Sequence, residues 1–524
     1  MKKNFEHKII IIDFGSQYTQ LIARRVREIG VYCEVIYWNT VNIVNIFSVS
    51  KPKGVILSGG PNSVTKKNSP KIPEFIFCYD IPVLGICYGM QAMIYQLGGK
   101  VKKSRKREFG FTKVKIIKKN KLTKNIYDYI NSKKEHILNV WSSHTDVVCK
   151  LPEGFLNVAI TKSCTSIVVN DKRKLYGLQF HPEVTQTKQG KNIIKRFVIG
   201  ICKCKNDWIT SNIIDKKIEY IRKKIKNERV ILGFSGGIDS LVSAILLKKA
   251  VNKQLICIFL DNGFLDSKEY KKNIKYLNKK FNLKVIYVSS KKIFFSAISG
   301  ISNPEKKRKV VGKTFIKIFR KYSKYYKAKF FAQGTVYSDV IESKKNKSSN
   351  IKYIKSHHNV GGLPKRIKLN ILEPLKDLFK DEVKKIGIKL GISGEILNKY
   401  PFPGPGFCIR IIGKVKKKYC KILCKSDKIF VQELKKANIY NKISQAFTIF
   451  VPIKSVSILG DCRKYSWIIV LRAVKTTDFM TAKWVYIPHK ILEKISCRMI
   501  NEIDNISRVV YDISGKPPST IEWE

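Results

Sequence analysis

Cys87 lies in a sequence pattern that is typical of a catalytic nucleophile. A short apolar run at 83–84 leads into residues 85–89 (GICYG), and a helical pattern follows from Met90. Glycines on both sides of such a residue let the chain turn sharply enough to expose its side chain where a helix starts. A thiolate there is stabilised by the positive end of the helix dipole. The pattern therefore predicts a nucleophilic thiol.

His181 and Glu183 are the candidate partners of that thiol. Residues 176–180 (YGLQF) predict a strand, and the sequence HPE follows at 181–183. Side chains two residues apart can face the same way, so His181 would accept the thiol proton and Glu183 would orient the imidazole. Cys87, His181 and Glu183 together predict a catalytic triad.

A glycine pair supplies the third part of this candidate site. Residues 55–61 (VILSGGP) predict a strand that ends at Gly59 and Gly60, whose backbone N–H groups, with that of Tyr88, could hold an oxyanion. Together with residues 13–18 (DFGSQY), these motifs resemble the class I glutamine amidotransferase family. The resemblance implies hydrolysis of glutamine through a Cys-His-Glu triad, with release of ammonia.

A second motif, SGGIDS at 235–240, predicts a phosphate-binding turn. It follows a buried apolar run at 230–234, and a helix is predicted to start at Leu241. Small residues on a strand-to-helix turn present several N–H groups to an anion, and the absence of G-K-[ST] disfavours a Walker-type site. The motif resembles the loop of ATP pyrophosphatases, which implies an ATP site in which Asp239 could help to position Mg²⁺. The predicted ATP-binding residues are Ser235, Gly236, Gly237, Ile238, Asp239, Ser240 and Leu241.

A second predicted strand, 255–260, ends in the sequence DNG at 261–263. Ligands in open α/β sheets bind beyond the carboxyl ends of adjacent strands, so ATP is expected between this turn and the SGGIDS loop.

Further segments resemble the GMP synthase family over essentially residues 8–524. They are FAQGTVYSDVIES at 331–343, IKSHHNVGGLP at 354–364, EPLKDLFKDEV at 373–383 and YDISGKPPSTIEWE at the end of the sequence. The resemblance implies that ATP adenylylates XMP with release of pyrophosphate, and that ammonia then displaces AMP to give GMP. It implies glutamine, ATP and XMP as substrates, Mg²⁺ with the ATP, no bound organic cofactor and a homodimer.

The same resemblance carries binding roles to individual residues. Arg308 and Lys516 would pair with the XMP phosphate, and a guanidinium suits such a dianion because it donates two parallel hydrogen bonds. Ile521 and Glu522 would also contact XMP. Residues 354–364 resemble a lid over ATP whose Lys355, His357 and His358 could steady phosphate charge, with a solvated loop as the alternative.

Some positions depart from the family pattern. Asp266 stands where a basic residue is usual after D-N-G-x-L, and residues 399–400 (KY) stand where Arg-His is usual. Ser457 and Cys462 replace small residues. These departures bear on affinity and inter-domain contacts, not on the reaction.

The elements that must position these motifs follow an α/β pattern with parallel sheets across the first 400 residues. A charged helical stretch at 213–229 and the sequence PFPGPG at 401–406 mark two boundaries. We therefore predict a glutaminase domain at 8–206 and an ATP pyrophosphatase domain at 207–399, both doubly wound with mostly parallel sheets. A smaller α+β domain at 400–524 is predicted to bind XMP and to dimerise.

Charge and composition bear on two alternative functions, nucleic-acid binding and tRNA thiolation. The formal net charge of +63 over 524 residues would suit nucleic-acid binding, but lysine is dispersed through every segment, which indicates compositional bias. An RNA-binding scaffold that has lost its enzyme activity would show damaged motifs. A tRNA-thiolating enzyme would need further reactive cysteines near the nucleotide site. We expect no specific nucleic-acid partner.

The thirteen cysteines argue against a secreted disulfide framework, because their number is odd and their spacing is not paired. The C-x-C at Cys202 and Cys204 and the pair Cys420 and Cys424 lack a matching second pair, so no zinc site is predicted there. No apolar run is long enough to span a membrane, and Met1–Ile12 is interpreted as a strand and not a signal peptide. A cytoplasmic protein without a membrane partner is expected.

Overall fold

A computed structural model describes residues 8–337, 339, 369–400, 402–459, 462–476 and 481–524. The chain divides into two compact units, residues 1–213 and 214–524. The predicted lid at 354–364, with Lys355, His357 and His358, lies outside the described residues. Each unit is described by itself.

The first unit is built on a ten-stranded mixed sheet in the order β2-β1-β3-β4-β10-β9-β8-β5-β7-β6. Its strands are β1 Lys8–Asp13, β2 Tyr32–Tyr37, β3 Gly54–Leu57, β4 Val83–Ile86, β5 Lys100–Ile116, β6 Tyr129–Ile130, β7 His136–Lys150, β8 Leu156–Ile160, β9 Thr165–Asn170 and β10 Leu175–Leu178. In this order, neighbouring strands from β2 through β1, β3 and β4 to β10 pair in parallel. The remaining neighbours, from β10 through β9, β8, β5 and β7 to β6, pair antiparallel. The sheet thus combines a doubly wound half with an antiparallel half.

Burial explains the parallel half. Every residue of β1, β3, β4 and β10 is buried, as expected of parallel strands covered by helices on both faces. The helices of this unit are Thr19–Glu28, Ile43–Ser50, Phe75–Cys78, Tyr88–Gln96 and Gly190–Lys195, followed by a π-helical turn at Arg196–Ile201. The adjacency of β4 and β10 matters most for function, because their carboxyl ends carry the residues of the predicted triad.

The second unit contains a five-stranded parallel sheet in the order β13-β12-β11-β14-β15. Its strands are β11 Val230–Gly233, β12 Leu255–Asp261, β13 Val285–Ser289, β14 Phe330–Ala332 and β15 Asn370–Leu372. Successive strands are added on one side of β11 and then on the other, so the topological switch lies between β11 and β14.

Helices flank this sheet. They are Thr210–Ile225, which crosses from one unit to the other, Ile238–Val251, Ser267–Phe281, Lys291–Ala297, Pro304–Tyr325, Lys380–Lys389 and Gly394–Leu397. The first of these was predicted at 213–229, and it ends earlier because Lys226 adopts a positive φ of 53°.

The C-terminal part of the same unit is α+β. A sheet joins β16 Gln445–Leu459, β17 Cys462–Lys475 and β18 Lys483–Trp484, and β19 Ile506–Tyr511 pairs with β17. Two helices, Lys417–Lys436 and His489–Glu502, accompany it. Ile231 and Leu260 of the parallel sheet share one hydrophobic cluster with Leu423 and Ile469. The predicted boundary near residue 400 therefore stays a prediction.

Among the helices that the structure describes, none is both long enough and apolar enough to cross a membrane.

Candidate active sites

Cys87 occupies a strained turn between β4 and the helix Tyr88–Gln96. Its φ of 50° and ψ of −107° are unusual for a residue with a side chain, and such strain is found where a site requires it. A Cβ on Gly85 would lie 2.6 Å from the backbone nitrogen of Met90, and one on Gly89 would lie 2.5 Å from the carbonyl oxygen of Leu57. Close packing therefore requires both flanking glycines, and the helix starts two residues before the predicted Met90.

The chain surrounds the Cys87 thiol with polar groups. The thiol donates to the carbonyl oxygen of Ser143 at 3.7 Å, and the Gln179 amide donates to Sγ at 3.8 Å. The backbone nitrogen of Cys87 donates to the carbonyl oxygen of Leu178 at 2.7 Å, which ties the ends of β4 and β10 together. Sequence reasoning missed these roles of Ser143 and Gln179. Gln179 lies in the motif that contains His181, but nothing in the sequence marks a backbone carbonyl on β7.

His181 and Glu183 lie together in the turn after β10. The strand β10, Leu175–Leu178, is shorter than the predicted strand at 176–180. Nδ1 of His181 is 2.8 Å from Oε1 of Glu183, and both side chains are buried. The Thr187 hydroxyl donates to the carbonyl oxygen of His181 at 2.7 Å, and the Tyr18 ring packs edge-on against the imidazole at 5.1 Å. These contacts fix the side chains of His181 and Glu183 relative to each other within the turn.

Electrostatics favour a charged His181. Burial alone would lower the pKa of its imidazole, but the Glu183 carboxylate and a hydrogen bond with Cys87 raise that pKa well above its ordinary value. The Cβ position of Gly59 lies 3.2 Å from Cε1 of His181 and 3.8 Å from Cβ of Cys87, so all three residues of the predicted triad lie in one neighbourhood. An imidazolium beside a thiol stabilises the thiolate.

The glycine pair of the predicted oxyanion hole lies beside the triad. A Cβ on Gly59 would be 3.2 Å from Cε1 of His181 and 3.8 Å from Cβ of Cys87. A Cβ on Gly60 would be 3.3 Å from Cγ of Tyr88. Tyr88 is the first residue of its helix, so its N–H has no acceptor within the helix. The predicted donors therefore share one neighbourhood.

The SGGIDS loop joins β11 to the helix Ile238–Val251 in the second unit. Gly237 caps that helix in an extended conformation, so the predicted start at Leu241 is wrong by three residues. Asp239, Ser240 and Leu241 consequently belong to the first turn of the helix. Gly236 has a φ of 80°, and a Cβ there would lie 2.5 Å from the Tyr270 ring.

Hydroxyl groups brace the loop from within. The Ser235 hydroxyl donates to Oγ of Ser240 at 3.0 Å, and the Ser240 hydroxyl donates to the carbonyl oxygen of Gly237 at 2.8 Å. Ser235 and Gly237 are exposed, whereas Ser240 is buried. The loop thus faces solvent with small residues on a braced turn, as a phosphate site requires.

Asp239 differs from its neighbours in the loop because its buried Oδ1 has no hydrogen-bond partner among the described residues. Burial raises the pKa of its carboxyl group to about 6; Lys380 opposes this shift and Asp339 adds to it. A buried carboxylate oxygen without a partner, near a second carboxylate, fits a hard cation with oxygen ligands.

Gly334 packs against the start of this helix. A Cβ there would lie 2.9 Å from the carbonyl carbon of Asp239 and 3.0 Å from the nitrogen of Ser240. Gly334 follows β14, the strand on the other side of β11. Gly334 lies in the segment 331–343 that carries the family resemblance, but the sequence predicted no role for this glycine.

The DNG turn follows β12, the parallel neighbour of β11. Oδ1 of Asp261 accepts from the nitrogen of Gly263 at 2.9 Å, and Nζ of Lys291 lies 3.2 Å from Oδ2. The Tyr287 hydroxyl also donates to Asp261. In contrast to Asp239, Asp261 is fully engaged within the protein.

Asp266, one of the departures from the family pattern, has a structural role. Its carboxylate accepts from the nitrogen of Lys268 at 3.2 Å, capping the helix Ser267–Phe281, and Nζ of Lys428 lies 2.6 Å from Oδ2.

Arg308 and Glu522 lie in one charged region of the second unit. Arg308 donates to the backbone carbonyl oxygen of Glu524. Burial lowers the pKa of the Arg308 guanidinium, and the negative charges of Glu522 and Glu524 oppose that shift. Glu522 accepts from Arg410 at 3.1 and 3.2 Å. A desolvated guanidinium surrounded by tail residues suits an anionic ligand.

The other two tail residues are ordered by packing. Ile521 is buried against Ala482 and Phe447, so its side chain belongs to a small core and its main chain is left for any ligand contact. The backbone of Lys516 exchanges two hydrogen bonds with Ala482, at 2.8 and 3.0 Å. Ala482 thus links Lys516 to Ile521.

Three family models match the chain in succession. They are glutamine amidotransferase class-I over residues 10–201, NAD synthase over 210–404 and GMP synthase C terminal domain over 432–523. The GMP synthase [glutamine-hydrolyzing] of Yersinia enterocolitica serotype O:8 / biotype 1B (strain NCTC 13174 / 8081) is 51% identical over 528 aligned positions, covering 100% of both chains. The protein of the same name from Yersinia pestis (strain Pestoides F) is also 51% identical, with the same coverage.

Proposed function

The chain belongs to the glutamine-hydrolysing GMP synthase family, and on that premise we propose which residues carry each half of the reaction. The enzyme hydrolyses glutamine to supply ammonia, adenylylates XMP with ATP and aminates the adduct to GMP. It is an enzyme and not a binding scaffold. The observation that carries the division of roles is that Cys87 lies beside the hydrogen-bonded pair of His181 and Glu183 in one unit, whereas the SGGIDS loop lies in the other.

In the glutaminase half, Cys87 attacks the side-chain amide of glutamine. The oxyanion would be held by N–H groups of Gly59, Gly60 and Tyr88, since Gly59 lies beside Cys87 and Gly60 lies beside Tyr88. His181, held protonated by Glu183, gives its proton to the departing ammonia, and water then releases glutamate from the thioester. The burial of His181 and Glu183 supports this assignment, because charges act most strongly where water is excluded.

In the synthetase half, residues 235–241 bind the phosphates of ATP. The N–H groups at the start of the helix Ile238–Val251 would be available to a phosphate, and the exposed Ser235 would add a hydroxyl donor. Asp239, with Asp339 near it, would hold the Mg²⁺ that accompanies ATP, since Oδ1 of Asp239 has no partner within the described protein. That ion would neutralise phosphate charge. The oxygen O2 of XMP attacks the α-phosphate, the bond between the α- and β-phosphates breaks and pyrophosphate leaves; ammonia then displaces AMP from the adduct.

For the acceptor, Arg308 and Lys516 would pair with the XMP phosphate, and Ile521 and Glu522 would contact the nucleotide. The support is the desolvated guanidinium of Arg308 beside the tail. Three functional regions, 8–206, 207–399 and 400–524, and a homodimer formed through the last of them complete the proposal. Sedimentation velocity tests the dimer: a monomer at micromolar concentration would contradict it.

We also propose a cytoplasmic location. All thirteen cysteines are free thiols, which suits a reducing compartment.

The direct test supplies the purified protein with glutamine, Mg-ATP and XMP, and measures glutamate, AMP, pyrophosphate and GMP by chromatography. We expect GMP and AMP in equal amounts, and both should require XMP. Glutamate release without GMP would leave the glutaminase assignment standing and overturn the acceptor assignment. A matched reaction with ammonium in place of glutamine separates the two halves.

A further inference from the structure

A cluster of three possible metal ligands lies outside the residues assigned to catalysis. Among the described residues, ligand atoms of Glu108, His144 and Cys164 all lie within 4.8 Å of one another. Glu108 is on β5, His144 is its register partner on β7, and Cys164 precedes β9. Three separate chain segments thus converge on one point.

Two of the three distances within the cluster resemble those around a tetrahedral ion, and the third, between His144 and Cys164, is within 4.8 Å. Nε2 of His144 is 3.2 Å from Oε2 of Glu108, and Sγ of Cys164 is 3.8 Å from the same oxygen. An ion with bonds of roughly 2.0 Å to nitrogen and oxygen and 2.3 Å to sulfur sets its ligand atoms about 3.3–3.7 Å apart. Little movement is needed to place an ion among the three atoms.

The two oxygens of Glu108 have different tasks. Oε1 accepts hydrogen bonds from the hydroxyls of Thr161, at 2.7 Å, and Ser163. Those bonds fix the carboxylate so that Oε2 is the oxygen that faces His144 and Cys164. Outer hydrogen bonds that orient a ligating carboxylate are characteristic of metal sites.

His144 provides the independent observation. Its side chain is only 2% exposed, and among the described residues neither ring nitrogen has a partner with the geometry of a hydrogen bond, although Nε2 lies 3.2 Å from Oε2 of Glu108. Buried polar atoms are nearly always paired, so an imidazole in this condition calls for a partner at Nε2.

We propose that Glu108, His144 and Cys164 bind a zinc ion, with water in the fourth position. A set of one nitrogen, one sulfur and one oxygen ligand suits Zn²⁺, whereas Mg²⁺ and Ca²⁺ prefer oxygen alone. Glu108 and Cys164 are only partly buried, so water can reach the open side.

Protonation is compatible with that assignment. Burial alone would raise the pKa of Glu108, but the contact with His144 and the hydrogen bonds from Ser163 and Thr161 lower it to about 2, so the carboxylate is ionised. Burial and the nearby Glu108 charge raise the pKa of the Cys164 thiol to about 11. A bound cation displaces such a proton, as metal ions do from coordinating thiols.

The site would act on catalysis by position. Ser143, next to His144, offers its carbonyl oxygen to the Cys87 thiol at 3.7 Å, and the carbonyl oxygen of Trp141 accepts from the nitrogen of His181 at 3.0 Å. An ion held by His144 would fix the stretch of β7 that contacts both residues. His144 is therefore a positioning residue.

The test is a titration of the chelator-treated full chain with Co²⁺, which reports its ligands by absorption. The Cys87→Ala background is used, so that the nucleophile cannot bind the ion. We expect a thiolate-to-cobalt charge-transfer band and intense tetrahedral bands in the visible, saturating at one equivalent, and Zn²⁺ should abolish both. Adding Cys164→Ser should remove the charge-transfer band, whereas Cys149→Ser, at an exposed thiol, should retain it.

Two results would overturn the proposal: no charge-transfer band in the background protein, or a band that survives Cys164→Ser. Either would identify the cluster as a buried histidine–carboxylate pair only. Circular dichroism of each variant confirms folding. If Cys164→Ser fails to fold, Cys164→Ala and His144→Asn serve as substitutes, and with Co²⁺ bound His144→Asn should weaken the tetrahedral bands while the thiolate remains.

Discussion

The triad and the SGGIDS loop share one design but differ in what the chain completes by itself. In each, a parallel strand ends in a glycine-containing turn that starts a helix. Around Cys87 the polar groups hydrogen-bond within the protein, down to the 2.8 Å contact between His181 and Glu183. Among the described residues, Oδ1 of Asp239 and Oε2 of Glu183 are both buried without a hydrogen-bond partner, but the other carboxylate oxygen of Glu183 is paired with His181.

The difference reflects what each site binds. Glutamine is a small substrate whose hydrolysis needs charges oriented in advance, so the protein supplies all of them. ATP arrives with four negative charges and a cation, and a site that already satisfied its carboxylates would have nothing to offer that cation. The first site is organised before its substrate binds, and the second is completed by it.

The largest expected effect separates the two sites completely. Cys87→Ala should reduce glutamine-dependent GMP formation by about 10⁴-fold or more, because no other group replaces the nucleophile. GMP formation from added ammonium should persist, since the SGGIDS loop lies in the other unit. Both rates are measured by chromatography of GMP.

Cys78→Ala is the matched control, because Cys78 is an exposed thiol on another helix. Equal loss of the glutamine and ammonium reactions in Cys87→Ala would show that the roles are not divided as proposed.

The second prediction tests the SGGIDS loop instead of the triad. Asp239→Asn should lower both the glutamine and the ammonium reactions by ~10²–10³-fold, because a ligand of the ATP-bound cation is lost. Glutamate formation measured without nucleotides should not change. Asp215→Asn, at an exposed carboxylate, is the control.

The same substitution should stabilise the unliganded protein. A carboxyl pKa raised from 3.8 to about 6 destabilises the folded state above pH 6, and this cost disappears as pH falls below 3.8. At ~1.4 kcal/mol per pKa unit, Asp239→Asn should add about 1–3 kcal/mol near neutral pH. Urea denaturation across this pH range measures it, and a gain that did not shrink toward acid pH would contradict the cause.

A third effect, limited to the glutamine reaction, tests how far the triad is organised before its substrate binds. Glu183→Gln should slow glutamine hydrolysis by ~10²–10⁴-fold, since the imidazole loses its orienting charge. The Glu183 charge raises the pKa of His181, so the variant should titrate its imidazole at lower pH. NMR of the histidine ring follows this titration, with Glu153→Gln as an exposed control.

The raised pKa of His181 also predicts how the free energy of unfolding depends on pH. A raised His181 pKa stabilises the fold at pH values below the ordinary imidazole pKa, and that contribution is lost as pH rises through the folded-state value. Glu183→Gln should therefore lose the share of this stabilisation that Glu183 supplies. Its free energy of unfolding should fall below that of the unmodified protein at low pH, and this contribution should make no difference at high pH. An unchanged His181 titration would mean that Glu183 acts by shape alone.

The sequence predicted those parts of both sites that lie within a single turn. Cys87 between two glycines and His181 two residues before Glu183 are local patterns, because their geometry depends on a few backbone dihedrals. The α/β class and the parallel sheets follow from buried apolar runs for the same reason.

What the sequence did not predict depends on contacts between distant segments. The carbonyl oxygen of Ser143, the cluster of Glu108, His144 and Cys164, and the antiparallel half of the first sheet arise only when β5 and β7 pair. The start of the helix at Ile238 was missed because Gly237 adopts a capping conformation that its residue type leaves open.

The smallest predicted effect concerns Gly334, another residue whose role is set by a distant segment. Gly334→Ala places a methyl group 2.9 Å from the backbone of Asp239, so the helix start must shift. We expect a loss of about 1–3 kcal/mol in unfolding free energy and weaker ATP binding, with glutamine hydrolysis unchanged. Gly312→Ala is the matched control: it lies within the helix Pro304–Tyr325 with nothing near its Cβ position, so it should stabilise by up to about 1 kcal/mol. If both variants behaved alike, the backbone contact at Gly334 would not be what shapes the loop, and the ATP site would be set by its own turn.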